Sequence, residues 1–318
     1  MSRYYMLAIA IMAFFCMEPL LAQETGSFMR NPAEARTMSL AGAGIVSADD
    51  VSAFDNAALT PFSRERLSVN ASMLMWMPKM YNSQISYSAS ARYSFRKAGT
   101  FYFGAREFKY PSFEQTDDYG NVTDTSRPGD LAVEAGYAYP FLRDFSAALT
   151  ARYLRLNPGY GSVANAVSFD AGLGFRHYFN AAGPLTDVAA IVQVRDLGSS
   201  PDYGNGRRSL PRRVNTGASA GLCVSDMHFF RAGASADIST TSCVHGVAAS
   251  FGAEYSFRRM LYLRGGYHLG SSSSGEPHWG AIGLGLHFWN LSVDAGWIIA
   301  TRTSPLRNTL SATISFIL

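Results

Sequence analysis

The chain has 318 residues, of which 47% are hydrophobic and 16% are charged, against roughly 25% charged in soluble domains. This composition excludes an intrinsically disordered chain and a collagen-like one. The net charge of +3 is too small to predict binding to nucleic acid. After residue 22 there is no run of about 18 apolar residues, which excludes a bundle of transmembrane helices.

Residues 1–22 have the pattern of a secretory signal peptide. Arg3 precedes an apolar stretch, and Ala22 precedes the predicted cleavage site. The mature chain then retains two cysteines, Cys223 and Cys243. The strands assigned below put these at opposite ends of the strands 211–224 and 243–257, too far apart for a disulfide. We therefore predict two free thiols.

The segment from residue 23 to residue 65 has no alternating pattern and is rich in small residues, which allow close packing. Asp49 and Asp50 are suited to cap a short helix that begins at residue 51. The segment is either an ordered lead-in to the first strand or a plug inside a barrel. We favour the plug, because the lumen of a barrel of about 14 strands is too wide for its own side chains to fill.

From residue 66 to residue 318, hydrophobic residues recur at every second position, which is the period of a β-strand. In residues 81–95, aromatic and aliphatic side chains share one face, and mostly serine, asparagine, glutamine and arginine share the other. An even number of strands is typical of a closed bacterial outer-membrane barrel. We predict fourteen strands, at 66–77, 80–95, 100–108, 129–140, 145–157, 163–179, 185–198, 211–224, 227–239, 243–257, 260–270, 278–289, 291–303 and 308–318.

The connections between these strands alternate in length. Those that follow even-numbered strands are tight, whereas most that follow odd-numbered strands are longer, such as 109–128 and 199–210. Short periplasmic turns and long extracellular loops are typical of outer-membrane barrels. The connection at 77–79 is an exception, because it is short where a long loop is expected.

A soluble β-sandwich also has alternating strands, so the position of the charged residues matters. Charged residues lie on the polar side of each strand, and a barrel would direct that side into the lumen. Fourteen such strands behind a signal peptide favour the outer-membrane barrel. The residues that we expect to line the lumen or to hold the plug are Arg36, Asp49, Asp50, Asn56, Arg152, Asp170, Arg176, Arg231, Glu254, Arg264 and Asp294.

Two predicted loops carry residue types that dominate protein interfaces, namely aromatic residues and arginine. Each loop is either a solvated connection or a surface that binds a partner, and the arginines are also suited to lipopolysaccharide phosphates. The candidate partner-binding residues are Phe113 and Tyr119 in the first loop, and Tyr203, Arg207, Arg208, Arg212 and Arg213 in the second.

The sequence contains no motif that predicts catalysis or a bound cofactor. His-Glu-x-x-His and Cys-x-x-Cys are absent, and the six histidines are scattered. Gly-x-Ser-x-Gly occurs at 217–221, but inside the predicted strand 211–224 and not at the strand-to-helix turn that a nucleophilic serine needs. Glycine pairs such as Gly172 with Gly174 and Gly283 with Gly285 lie within predicted strands, where they thin the wall. We therefore predict no enzymatic activity, no cofactor and no metal site, with a lipid hydrolase as the least favoured alternative.

Several segments resemble, in order along the chain, the PorV/PorQ family of FadL-like outer-membrane barrels. Where that family usually has Asn-Pro-Ala, this chain has Asn56-Ala57-Ala58. The segments that carry the resemblance are Gly42-Ala43-Gly44-Ile45-Val46, Asn56-Ala57-Ala58-Leu59, Pro128-Gly129-Asp130-Leu131, Ser168-Phe169-Asp170-Ala171-Gly172, Asp196-Leu197-Gly198, Leu263-Arg264-Gly265-Gly266-Tyr267 and Val293-Asp294-Ala295-Gly296.

The resemblance implies an outer-membrane component of the type IX secretion system that binds or shuttles secreted cargo. Its implied partners are secretion or surface-attachment proteins and their cargo, in addition to the lipid of the outer membrane. FadL-like relatives instead carry hydrophobic small molecules through a plugged barrel. The two functions that the resemblance implies are therefore cargo binding in secretion and, as the alternative, a channel for hydrophobic compounds.

Overall fold

A computed structural model describes residues 24–46, 52–80, 84–95, 98–179, 184–204, 206–241, 244–271 and 276–318. The predicted signal peptide, Asp49, Asp50 and Cys243 lie outside these residues. Cys223 is described and is a free thiol. No helix in the described part of the chain is long and apolar enough to cross a membrane.

Fourteen antiparallel strands close into a barrel, in which the first strand pairs with the last. The prediction of a closed fourteen-stranded barrel is therefore confirmed. The barrel strands are β1 (Leu67–Trp76), β2 (Gln84–Ser94), β3 (Thr100–Lys109), β6 (Gly129–Pro140), β7 (Phe145–Asn157), β8 (Ala164–Tyr178), β9 (Leu185–Gly198), β10 (Arg213–Ser225), β11 (His228–Thr241), β12 (Val244–Phe257), β13 (Leu261–Leu269), β14 (Trp279–Phe288), β15 (Leu291–Ile299) and β16 (Leu310–Ile317).

The two ends of the barrel differ in the length of their connections. At one end, here called the turn end, the connections are short, as at Asp226-Met227 and Trp289-Asn290. The other end, here called the loop end, carries the longer connections, including the one from β3 to β6. That loop contains a separate hairpin, β4 (Phe113–Thr116) and β5 (Val122–Ser126), which the sequence analysis did not predict.

Alternation along the strands sorts side chains between the lumen and the outer surface. In β3, for example, Tyr102 and Phe108 are buried, whereas Phe101 and Phe103 are exposed on the outside. The exposed large side chains of the other strands are also mainly apolar. An apolar exterior and a polar lumen are the arrangement that a lipid bilayer requires of a closed barrel.

The segment that precedes β1 lies inside the barrel and is here called the plug (residues 24–46 and 52–62). Its short helices are Ser27–Arg30, Ala35–Ser39, Ala43–Val46, Ala53–Asn56 and Ala57–Phe62. It begins beside the β9–β10 loop, where the Thr25 amide donates to the Ser209 carbonyl at 3.0 Å. It leads into β1 at the turn end.

Hydrogen bonds join the plug to strands all around the lumen. They include Arg106 Nη2 to the Asn31 carbonyl (2.7 Å), Arg195 Nη2 to the Phe54 carbonyl (2.8 Å), Gln193 Nε2 to the Asp55 carbonyl (2.8 Å), Arg213 Nη2 to the Met29 carbonyl (3.0 Å), the Ala35 amide to Thr313 Oγ1 (2.8 Å) and Ser88 Oγ to the Ala33 carbonyl (2.7 Å). These bonds satisfy five plug carbonyls and the Ala35 amide, which would otherwise be buried without partners.

Glycines thin the wall where the plug lies against it. A Cβ atom built on Gly174 would lie 2.9 Å from the Ala58 carbonyl oxygen, and one on Gly252 would lie 2.9 Å from that of Leu40. One on Gly266 would overlap the Leu40 backbone. Glycine at these positions lets the backbones approach more closely than any side chain would allow.

Candidate functional site

The first ion-pair network fixes the plug to strands β12, β13 and β15. Arg36 in the plug contacts Glu254 at 3.0 Å, and Arg264 contacts the same carboxylate at 2.6 Å. Arg264 also pairs with Asp294. All four side chains are buried, so each charge has lost water and depends on its partners. The network holds the Ala35–Ser39 helix against the wall.

A second network surrounds Arg152 on β7. Its guanidinium contacts Glu134 at 2.7 Å, Asp170 at 2.7 Å and Asp196 at 2.5 Å. Arg195 lies 3.5 Å from Asp170 and adds a second positive charge to the network. Three carboxylates around one guanidinium fix its orientation.

Asp196 reaches the lumen because β9 carries a β-bulge. The register with β8 shifts between Phe169 and Ala171, and Asp196 adopts a left-handed φ of 61°. The extra residue directs two consecutive side chains, Arg195 and Asp196, inward. Strict alternation assigns Asp196 to the lipid side, so the sequence analysis missed it. The sequence offered one indication that Asp196 faces inward, namely that an acidic residue lies on a strand face that is otherwise apolar.

The other predicted lumen residues that the structure describes also lie inside the barrel. Arg176 and Arg231 pair with Asp187, at 3.2 Å and 3.0 Å, near the turn end. Asn56 is buried in the plug. Its neighbour Asp55 accepts a hydrogen bond of 2.7 Å from Thr37, which ties two plug helices together.

A cavity of about 550 Å³ lies between the plug and the wall in the half of the lumen nearest the loop end. One side of it is apolar and is formed by Trp76, Phe108, Trp279 and Leu306. This size and mixture of surfaces are typical of a site for a small ligand.

Polar groups face this apolar side across the cavity. They include Arg195, Arg213 and Asp237, and Arg213 Nη1 lies 3.4 Å from Asp237 Oδ2. His268 stacks on Trp279 with ring centroids 5.2 Å apart. A molecule in the cavity would therefore meet aromatic surface on one side and fixed charges on the other.

A second cavity of about 560 Å³ opens at the turn end. It is lined by charged residues, among them Arg176, Asp187, Arg231 and Arg264. The two cavities share no lining residue among those that the structure describes, and the plug lies between them.

The predicted partner-binding residues do not form one surface. Phe113 begins the β4–β5 hairpin and contacts Tyr160 edge-on, with centroids 6.4 Å apart. Tyr119 lies at the hairpin tip and is 90% exposed. Tyr203 is half-buried and shares a 2.6 Å hydrogen bond with Thr25 of the plug.

The four arginines of the second loop have different surroundings. Arg207 is exposed, whereas Arg208 lies over the Tyr203 ring at 5.2 Å. Arg212 is half-buried. The placement of Arg213 in an exposed loop was wrong: it is the first residue of β10, and its side chain is buried in the lumen, where it pairs with Asp237.

Burial raises the pKa of two groups at the loop end of the lumen. Loss of water raises the pKa of Glu24, although Arg30 lies 2.9 Å away and opposes the shift. Burial also raises the pKa of the Tyr203 hydroxyl. Among the described residues, no group of three or more His, Cys, Asp or Glu side chains is arranged to hold a metal ion.

The barrel is similar in fold to solved structures of two transporters. The Ralstonia pickettii toluene transporter TbuX matches with a TM-score of 0.52 and 13% identity, over 89% of this chain and 97% of that one. The Pseudomonas putida toluene transporter TodX matches with a TM-score of 0.52 and 14% identity, over 89% and 97%. A second TodX structure gives 0.51 and 15%, over 93% and 99%. No protein-family model and no curated protein matches the sequence.

The chain therefore folds as a closed fourteen-stranded β-barrel similar to those of these two transporters. The predicted location in the outer membrane is confirmed, and in barrels of that membrane the short turns face the periplasm. The matches support the FadL-like part of the predicted resemblance and do not extend to PorV or PorQ specifically. At these identities they establish the fold alone.

Proposed function

We propose that this protein is a non-enzymatic channel that admits small, largely apolar molecules across the outer membrane. The observation that carries the proposal is the cavity of about 550 Å³ between Trp76, Phe108 and Trp279, on the extracellular side of the plug. A molecule that leaves water for this aromatic surface gains roughly 25 cal/mol for each Å² of apolar area buried. The names of TbuX and TodX as toluene transporters support this substrate class.

The plug makes transport a two-step process. A ligand binds first above the plug, and passage then requires the plug to move or the ligand to leave through the wall. Because ion pairs and hydrogen bonds fix the plug on several sides, we expect the resting barrel to be closed to ions.

The test uses a matched pair of substitutions in β12. Ala248 is buried and lines the cavity, whereas its neighbour Ala249 occupies the opposite face of the strand. Binding of toluene and of a series of larger apolar compounds to the purified barrel is measured by tryptophan fluorescence, since Trp76 and Trp279 line the cavity. We expect Ala248→Phe to weaken binding at least about tenfold by occupying the space.

The substitution at Ala249 is the control for the one at Ala248, and a comparison of the two also gives the outcome that would contradict binding in the cavity. Ala249→Phe should bind like the unaltered protein, because the added ring faces lipid. Equal binding by both variants would show that the ligand does not occupy this cavity. Absence of binding by every compound in the unaltered protein would reject the channel function itself.

A second candidate function is binding of secreted cargo in a type IX secretion pathway, which was the first prediction from the sequence. The observation that favours it is the hairpin at the loop end, whose tip residue Tyr119 is 90% exposed. Exposed aromatic residues of this kind are enriched at protein interfaces. The fold comparisons support the channel better than this role.

The two candidates are separated by affinity purification from native outer membrane in mild detergent. Co-purification of secretion or attachment proteins, lost in a Tyr119→Ser variant and kept in an Ala249→Phe variant, would support cargo binding. Recovery of the barrel with apolar ligand and no protein partner would support the channel.

A further inference from the structure

The outer surface of the barrel carries a cluster of cations at the loop end of β3, β6 and β7. Lys109 lies on the outward face of β3, because its neighbour Phe108 faces the lumen. Arg155 lies on the outward face of β7 for the same reason, since Leu154 and Leu156 are buried. Arg127 lies in the chain that leads into β6 and is exposed.

These three side chains line one groove of about 590 Å³ together with Glu107. The strand register places Glu107 and Arg155 on either side of Leu131 in one row of the sheet. Asp130 also lines the groove, but it is buried and accepts a hydrogen bond of 2.8 Å from Tyr110. Three cations against two acids leave the groove with an excess of positive charge. The groove therefore attracts anions.

The two arginines of the groove differ from those in the lumen in that they lack partners. Among the described residues, neither Arg127 nor Arg155 has an ion pair or a side-chain hydrogen bond. Lys109 lies 3.4 Å from Glu107, and both side chains are about half exposed. An exposed ion pair of this kind contributes little to the free energy of folding. The guanidinium donors of Arg127 and Arg155 are thus available to bind an anion.

The groove lies at the boundary between the apolar wall and the polar loops. Tyr87 shares the row of Glu107, and the next outward residues toward the turn end are apolar, including Val133 and Phe103. Tyrosine at this level marks the interface between hydrocarbon and headgroups in a membrane barrel. Charged side chains are tolerated at that interface and are unfavourable at the bilayer centre.

We propose that this groove binds the phosphate of a lipid headgroup in the outer leaflet. A guanidinium matches the geometry of a phosphate with two parallel hydrogen bonds, and an ammonium adds a compact charge. The lipid is the source rather than free phosphate, because the charged residues Glu107, Lys109 and Arg155 lie on the outward faces of their strands, beside the membrane. This site differs from the Arg207 and Arg208 loop, which the sequence analysis considered for the same chemistry.

The test compares binding of one lipid with and without its phosphates. Purified barrel in detergent is titrated with bisphosphorylated lipid A and with the same lipid after removal of both phosphates, and native mass spectrometry counts the bound lipid. We expect the unaltered protein to prefer the phosphorylated form by about tenfold or more. Arg127→Gln combined with Arg155→Gln should abolish the preference.

A matched control removes the same charge elsewhere at the loop end. Arg302→Gln combined with Arg307→Gln lies in the β15–β16 connection and should keep the preference. Inorganic phosphate in millimolar excess should leave lipid binding unchanged. The two single substitutions in the groove keep the test decisive if the double variant does not fold.

Two results would overturn the proposal. An unchanged preference in the groove variant would remove these arginines from lipid binding. Displacement of the lipid by inorganic phosphate would show that the groove recognises the free anion and not a lipid headgroup.

Discussion

Arginine side chains line both the lumen and the extracellular loop end of this barrel, but their surroundings differ. In the lumen, Arg152 is 4% exposed and contacts three carboxylates within 2.7 Å. At the loop end, Arg207 is 71% exposed and its contact with Asp202 is 3.9 Å long. A buried charge is strongly unfavourable without a partner, whereas an exposed one stays hydrated. The lumenal charges therefore hold the fold together, and the outer ones remain available to other molecules.

The largest expected effect is the loss of a buried arginine. Arg264→Met removes one of the two arginines that pair with Glu254, and it leaves Asp294 without its arginine. Breaking a buried network in this way should lower the free energy of unfolding by about 3–5 kcal/mol. Denaturant titration of the barrel in lipid vesicles measures the change.

The control for this substitution is an exposed arginine in the β15–β16 connection. Arg302→Met should change the free energy of unfolding by no more than about 0.5 kcal/mol. If the Arg264 variant were as stable as this control, the lumenal network would not stabilise the fold.

Charge reversal at two positions close in sequence sharpens the same contrast. Arg213→Glu places an acid beside Asp237 and Asp196 and removes the hydrogen bond to the Met29 carbonyl, so we expect a loss of about 3 kcal/mol. Arg207→Glu should be almost neutral. The measurement is the temperature at which the barrel changes from its folded to its unfolded mobility in gel electrophoresis. Similar changes in this temperature for the two variants would contradict the assignment of Arg213 to the lumen.

A smaller effect is expected where the plug lies against the wall. Gly266→Ala adds a methyl group that overlaps the Leu40 backbone, whereas the methyl group of Gly265→Ala would make an ordinary contact of 3.9 Å with the Ala281 carbonyl oxygen. The first should destabilise the barrel by about 1–3 kcal/mol, or release the plug, and the second should be nearly neutral. Protease sensitivity of the plug and denaturant titration report the two outcomes. A protected plug and unchanged stability in both variants would refute the close packing.

The smallest expected effect is confined to the β4–β5 hairpin. Hydrogen bonds from the side chain and backbone of Asn121 lower the pKa of Asp117. The ionised carboxylate therefore stabilises the hairpin above about pH 4, the ordinary aspartate range. This stabilisation is lost as the pH falls through the lowered pKa of Asp117. Asp117→Asn should remove this pH dependence and leave the barrel unchanged.

Hydrogen exchange at the Tyr119 and Asn121 amides measures this effect, because both amides donate to Asp117. The protection is corrected for the intrinsic dependence of exchange on pH. If the protection in the unaltered protein did not change on acidification, the capping role of Asp117 would be wrong.

Much of the fold was predictable from the sequence, because a strand in a lipid-facing barrel has one apolar and one polar side. The predicted strands at 129–140, 145–157 and 185–198 coincide with β6, β7 and β9. The same alternation predicted that Glu254 and Arg264 face the lumen. Both observations follow from the two-residue period, which is local and visible in the sequence.

The rest depends on interactions that alternation does not encode. The bulge that turns Asp196 inward is stabilised by Arg152 on another strand, 44 residues away. The β4–β5 hairpin lies in a polar loop without an apolar face. The cavity arises where Trp76, Phe108 and Trp279 converge from three strands that are distant in sequence. Such arrangements follow from barrel closure and from the position of the plug.

The proposed channel function requires above all that an apolar molecule binds in the lumen above the plug. The direct measurement is diffraction from crystals soaked with a brominated aromatic compound, in which anomalous scattering locates the bromine. We predict a peak between Trp76, Phe108 and Trp279, on the loop side of Pro32 and Ala41. Bromine found only on the outer wall or among the extracellular loops, with the cavity holding none, would contradict a channel for hydrophobic molecules.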